Sequence, residues 1–526
     1  DNMAKYILKR FLHGLISIVI VVAIVMMLIY SLLDRTTIFA EDEVYRKLQN
    51  NARTTYTYRR WQDYGYLHYV NYNDWLNEQV REGKLDPETK DEATDLGRKP
   101  EDDEGVVAQY VKEFTDYYES QGYKVERLKA VTSRRKVAAG GQAELFAHKD
   151  RPLVSRLWSY FSSIVTIDTI HYVDEDVDIG KRELTFTTHD PVYGGEKFSP
   201  AIMGNGTKHK YLLYFDDKFP YLHQNLITIN LGTSYSVNKD HDVLETMLQS
   251  QGSYVTRPTV FPSGHVEESA DDLHTAIYLE GSLAGSELLQ SRFEDDYTNV
   301  LTRRGGRSKV AFSFSIGILA SIMAYALGLP LGVFMARHKD GIVDKLGTFY
   351  IVFIMAVPSL AYIFLFKAIG GSMGLPTTFD VNNGTALMYV LPIVSLALPS
   401  VANLMKWLRR YMIDQMNSDY VKFARSGGLS ENEIFAKHIL KNAAIPIVHA
   451  IPGTILGALT GAIITERVYV VPGTGNLLTQ AINFYDNGVI VGVAMFYGML
   501  SVVAIILGDV LMSVVDPRIS FSSESR

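Results

Sequence analysis

The chain has 526 residues, 47% of them hydrophobic and 21% charged, with a formal net charge of -7 and no cysteine. Residues 34–305 carry 45 acidic and 32 basic side chains, a net of -13, whereas the remainder carries 13 and 19, a net of +6. This length and polarity exclude one uniform soluble domain and a general nucleic-acid binder, which would be basic. The absence of cysteine excludes a disulfide framework, Cys-ligated zinc and a thiol nucleophile.

A helix needs about 20 apolar residues to cross a bilayer. Phe11–Leu33 is such a run, preceded by Lys5, Lys9 and Arg10. It is longer than a signal-peptide core and ends without a small-residue cleavage site, so it reads as an uncleaved span. Val310–Ala336, Leu346–Phe366, Ala386–Met405, Ala444–Ile464 and Val489–Val515 bring the expected spans to six. Pro358, Pro392 and Pro399 interrupt the third and fourth. Such prolines are tolerated where neighbouring helices or a water-lined path satisfy the freed carbonyls, which points to a bundle around a pathway. No charged pair within the membrane is evident from the sequence.

Basic residues in short loops set orientation. With the N-terminus inside, the inner segments carry Lys5, Lys9, Arg10, Arg337, Lys339, Lys345, seven basic residues from Lys406 to Lys441, Arg518 and Arg526. The short outer loops carry Lys367 and Arg467. Both termini are then cytoplasmic and the acidic block is outside. Arg303, Arg304, Arg307 and Lys309 dissent, but long loops translocate largely regardless of charge.

The block 34–305 is long enough for its own core. Val106, Val107, Tyr110, Val111, Phe114 and Tyr117 recur at helical spacing, Leu184–Thr188 alternates like a strand, and Tyr211–Phe215 is a short apolar run. An α+β domain is expected, with Glu82–Glu104 as a charged loop. The tyrosines of Tyr56–Tyr72 fit a docking surface, an amphipathic layer near the headgroups or ordinary surface packing. His148, His171, His189, His209, His223, His241, His265 and His274 have no metal-ligand spacing, and no G-x-S-x-G elbow is present.

The longest inner segment, 406–442, carries the most specific pattern. Asp419–Ser426 has the length of two helical turns, with Val421, Ala424 and Arg425 at helical spacing. Gly427-Gly428 ends it, as glycine does at a helix C-terminus. Ser430 and Glu433 form a capping box that opens a second helix, Glu431–Leu440, carrying Ile434, Phe435, His438 and Ile439. A bent helix pair of this kind fits a groove on a soluble partner or lies on the membrane surface.

Beyond it, Gly453, Gly457 and Gly461 place small residues on one face of the fifth span, which allows close helix approach to a second permease or within this chain. Glu466, at that span's end, reads as a gate residue or, slightly preferred, a solvated helix terminus. Pro472-Gly473-Thr474-Gly475 lacks the Lys of a phosphate loop and reads as a tight turn or re-entrant segment, with Pro472, Gly473 and Gly475 placed beside Glu466 in the outer gate region. No Walker sequence occurs in the chain, so ATP hydrolysis is expected on another polypeptide.

Asp419-Tyr420-Val421-Lys422-Phe423-Ala424-Arg425-Ser426-Gly427-Gly428-Leu429-Ser430, followed by Lys437-His438-Ile439-Leu440, resembles the EAA loop of ABC-importer permeases, and more narrowly that of their oligopeptide/dipeptide, Opp/Ami-type branch. Ala424 and Gly428 match the loop's second alanine and glycine. Lys422, Phe423 and Lys441 stand where the general pattern has glutamate, alanine and proline. Glu466–Leu478, Asp516-Pro517-Arg518-Ile519 and Leu231-Gly232-Thr233-Ser234-Tyr235 resemble further segments of the branch in the same order. The similarity covers Met3–Leu33, roughly Ile227–Glu245 and 310–520. The long insertion resembles the streptococcal Ami-type permeases, which implies a Gram-positive source.

The resemblance implies a polytopic α-helical membrane protein, an ABC type I importer permease of six transmembrane helices with an inserted extracellular α+β domain. Its divisions are 1–33, 34–305 and 306–526. The chain is then a transport subunit that binds no cofactor. Its implied partners are a second permease, two ATPases holding ATP and Mg, an extracellular peptide-binding lipoprotein, membrane lipid and oligopeptide substrate. Asp419, Tyr420, Ala424, Arg425, Gly428, Leu429, Ser430, Glu431, Ile434 and Phe435 are the implied ATPase-coupling residues. A mechanotransducing or export permease, a membrane-anchored sensor, and an extracytoplasmic enzyme are the rival readings.

Overall fold

The computed structural model describes residues 2–167, 184–189, 196, 198, 201–204, 209–211, 227–261, 263–276, 287–292, 298–302, 304–460 and 462–516. Among the described residues, five helices are long and apolar enough to cross a membrane: Met3–Leu32, Lys309–Arg337, Ala386–Met416, Glu431–Tyr469 and Asn487–Val515. A bent pair, Ile342–Ala356 and Ser359–Ser372, makes a sixth if it is counted as one span. The interruption expected at Pro358 in the third span is a sharp one, because the pair turns by 114° at its break. Pro358 lacks the N–H that would continue the ladder, and it forces Val357 into extended backbone, ψ 131°.

The first span packs along the last, with Gly14 pressed against Val502. The second and fourth spans form the most extensive helix pair, in which Gly328 and Gly332 abut Leu404 and Leu408. Charged pairs also occur along the spans, contrary to the sequence reading. Arg10 lies 3.2 Å from Asp509, which also accepts from the Tyr6 hydroxyl at 2.9 Å. Arg409 grips the buried Asp344 with two bonds of 2.6 and 2.8 Å. The partners are 65 or more positions apart, so no local pattern announces them.

Between the first two spans lies an α+β region. One of its three-stranded antiparallel sheets has the order Leu67–Asn71, Glu144–Asp150, Lys124–Leu128. The central strand is buried on both faces, and its alternation divides two cores. Leu145 and Ala147 join Tyr72, Leu76 and Phe114, whereas Phe146 joins Trp61, Leu67 and Tyr69. The tyrosine-rich segment therefore packs these cores, with Tyr66, Tyr69 and Tyr72 buried. The helical spacing around Phe114 is realised as Gly105–Ser120, and the alternating segment as the strand Leu184–Thr187.

Glu82–Glu104 is not simply a loop. Asp86 caps a helix at Pro87–Thr94, and Leu85 and Ala93 enter the core. Among the described residues no cluster of histidine and acidic side chains could hold a metal ion. His171, His223, positions 212–215 of the expected apolar run, Gly461 and positions 517–526 lie outside the described residues.

The insertion is keyed to the bundle by Leu231–Val237. Asp486, which caps the last span, receives backbone N–H bonds from Tyr235, Ser236 and Val237 at 2.8–3.0 Å.

Candidate functional site

The helix Asp419–Ser426 has the bounds expected from sequence. Gly428 follows with φ +84°, a left-handed conformation that L side chains rarely adopt, so glycine is required there to reverse the chain. Ser430 Oγ accepts from the Glu433 N–H, and Glu433 accepts from the Ser430 N–H at 3.1 Å, closing the capping box. Arg425 then clasps Glu431 across the bend with bonds of 2.5 and 3.1 Å. The two helices are thus joined by backbone geometry, a cap and a bidentate ion pair.

The second helix is not the separate element Glu431–Leu440. A turn at Glu431–Ile434 passes through a π-helical segment, Phe435–Ile439, into Leu440–Thr460 without a chain break. The wider π turn keeps the backbone bonded while shifting the helix face. The bend is therefore continuous in backbone with the helix that enters the fifth span, Leu440–Thr460.

The side chains divide into two sets. Val421 and Ile434 are fully buried in the core that holds Leu408, Met412 and Ile439. Ile434 therefore anchors the bend rather than offering a free surface. Phe435 is half-buried beneath the Arg337 guanidinium, which also donates to Asn432. Tyr420 donates to Gln415 at 2.6 Å. Asp419, Arg425, Gly428, Leu429, Ser430 and Glu431 are exposed, and Ala424 is partly so. Phe423 is 80% exposed. It was recognisable in the sequence only as a departure from pattern, because solvent exposure depends on which helix face the core takes.

At the other end of this span, Glu466 is fully buried, which corrects its reading as a solvated terminus. Ser313 of the second span donates to it at 2.5 Å, and the Asn476 N–H donates at 3.0 Å. Thr474 donates its N–H and hydroxyl to Ser313, both at 2.9 Å. The segment after Pro472 forms the helix Thr474–Asn483, capped at Gly473. A Cβ on Gly473 would lie 2.5 Å from the Glu466 carboxyl carbon, and one on Gly475 would lie 2.9 Å from Glu466 Oε2. The glycines thus admit the carboxylate. Ser313 was not predicted, since it lies 153 residues away.

Gly453 and Gly457 are exposed, and a Cβ at either would meet nothing within 4 Å. A cavity of about 550 Å³ beside Gly453 is bounded by Arg10, His449, Thr454, Gly508 and Asp509.

Comparison with known proteins places this architecture. The chain is 33% identical over 528 residues to the oligopeptide transport system permease protein AmiC of Streptococcus pneumoniae, covering 99% of both chains. It is 32% identical over 227 residues to the dipeptide transport system permease protein DppB of Lactococcus lactis subsp. cremoris, covering 42% of this chain and 73% of that one. A solved structure of the inward-facing MetNI methionine ABC transporter matches 40% of this chain and 94% of its own at 15% identity, with a TM-score of 0.33. Residues 328–521 match the family described as the binding-protein-dependent transport system inner membrane component. The chain belongs to that family, with the Ami-type oligopeptide permeases.

Proposed function

We propose that this chain forms half of the translocation pathway of an ATP-driven oligopeptide importer. A second permease supplies the other half, two ATPase subunits holding ATP and Mg drive it, and an extracellular lipoprotein delivers peptide. Both termini and the 406–442 loop then lie in the cytoplasm, and the 34–305 insertion faces outward. The carrying observation is mechanical: the Asp419–Ser426 bend is clasped to a helical span that extends to Tyr469.

Closure of the ATPases pushes on the exposed Phe423, Leu429 and Arg425 surface. The buried Val421 and Ile434 transfer that push to the fourth and fifth spans. The open Gly453 face meets the second permease, and the Glu466 knot holds the far end of the fifth span to the second. The chain performs no covalent chemistry.

The absence of native cysteine makes a direct test available. Phe423→Cys should cross-link to an ATPase subunit in membranes that import peptide. An importing complex in which this position reaches no ATPase rejects the coupling assignment. Gly428→Trp should abolish uptake while membrane insertion persists.

A further inference from the structure

The helix Leu153–Ser163 has three distinct faces. Leu157, Tyr160, Phe161 and Ile164 pack on the cluster built from the first and last spans. On one flank Val154 and Trp158 are 76% and 75% exposed. On the other, Arg156, Ser159 and Ser163 border a cavity of about 300 Å³. The helix runs directly into Val165–Ile167, which pairs antiparallel with Ile227–Ile229. The apolar residues at the ends of this ribbon, Val165, Ile167, Ile227 and Ile229, are also exposed.

The position of this surface identifies what covers it. Arg156 stacks over the Tyr30 ring at 3.7 Å and over Tyr66 at 4.1 Å, so the helix sits at the last turns of the first span. The apolar surface of that span is itself exposed there, at Leu28, Leu32 and Leu33. Val154 and Trp158 thus add exposed apolar surface next to the end of that apolar span. Tryptophan favours this boundary because its ring is amphipathic.

Charge agrees with that placement. The cavity has two basic side chains, Arg151 and Arg156, near Tyr30 and one acidic, Asp63, and it reaches Met26 and Val491 within the spans. Neither arginine forms an ion pair with a carboxylate among the described residues, and Arg151 Nε is buried without a hydrogen-bond partner there. A guanidinium suits a phosphate diester, which it binds in a bidentate manner.

We infer that Leu153–Ser163 is an interfacial helix, docked in the phospholipid headgroup layer on the insertion's side of the membrane. Val154 and Trp158 enter the acyl boundary, and Arg151 and Arg156 receive a lipid phosphate. The insertion is thereby held against the bilayer as well as against the spans.

The test uses the whole transporter in nanodiscs of anionic phospholipid, with a nitroxide at Val154→Cys and a reference label at Tyr117→Cys. The expected Val154 label is more accessible to oxygen than to a water-soluble nickel chelate, and the Tyr117 label shows the reverse. An aqueous Val154 label overturns the docking. A label shielded from both reagents also overturns it, because a protein then covers the surface. Arg151→Gln with Arg156→Gln should move the Val154 label toward water. An unchanged depth in that variant overturns the phosphate assignment.

Discussion

Ser234 donates to the buried Asp486 carboxylate at 2.6 Å, across 252 positions of sequence. The same carboxylate receives N–H bonds from Tyr235, Ser236 and Val237 of the insertion and from Val489 of the last span. One side chain thus terminates a spanning helix and holds the joint to the α+β region. Asp486→Ala should destabilise the protein by about 3 kcal/mol or more, because several buried donors lose their acceptor. Ser234→Ala should cost about 1–2 kcal/mol. Thermal unfolding in detergent checks the order; equal effects would refute the shared-acceptor account.

The glycine at 473 is a space requirement. Gly473→Ala should displace Glu466 and Ser313, since the added methyl falls 2.5 Å from both groups. Peptide uptake should fall sharply and Tm should drop. Wild-type uptake and Tm together would show that the Glu466 knot yields without cost.

The Arg425–Glu431 clasp is exposed, and exposed pairs contribute little to stability. Arg425→Ala should leave Tm nearly unchanged while reducing peptide-stimulated ATPase activity in the assembled transporter. The exchanged pair, Arg425→Glu with Glu431→Arg, should restore part of that activity. Coupling that persists in Arg425→Ala would show that the backbone bend alone suffices.

Gly453→Leu should preserve the fold of the isolated chain, since a Cβ there meets nothing within 4 Å and the side chain faces a cavity. It should weaken assembly with the second permease, measured by the yield of co-purified subunits. A full yield would place the permease interface elsewhere.

Acid should loosen the insertion at Asp42. Burial raises this carboxyl's pKa, but bonds from Tyr56, the Tyr45 N–H and Lys239 outweigh it and hold the value below normal. A depressed native pKa gives stability that is complete above the unfolded value of about 3.9 and lost as pH falls through the native value. The Tm of wild type should therefore fall more steeply below about pH 4 than that of Asp42→Asn. Parallel acid limbs would exclude this linkage.

The apolar spans, the helix–glycine bend and its cap are legible in residue order alone. Each depends on neighbours a few positions apart: a run of apolar residues, Gly428 after a two-turn helix, Glu433 three residues after Ser430. Residue order also exposes Pro358 as an interruption, although the 114° angle depends on what each half-helix packs against.

Packing, by contrast, buries Glu466 and brings Arg10 to Asp509 and Ser234 to Asp486. It also turns Ile434 to the core while Phe423 faces solvent. The physical reason is the same in each case. Burial and pairing are properties of surfaces brought together by packing, and residues 153, 252 or 499 positions apart leave no periodic trace of their meeting.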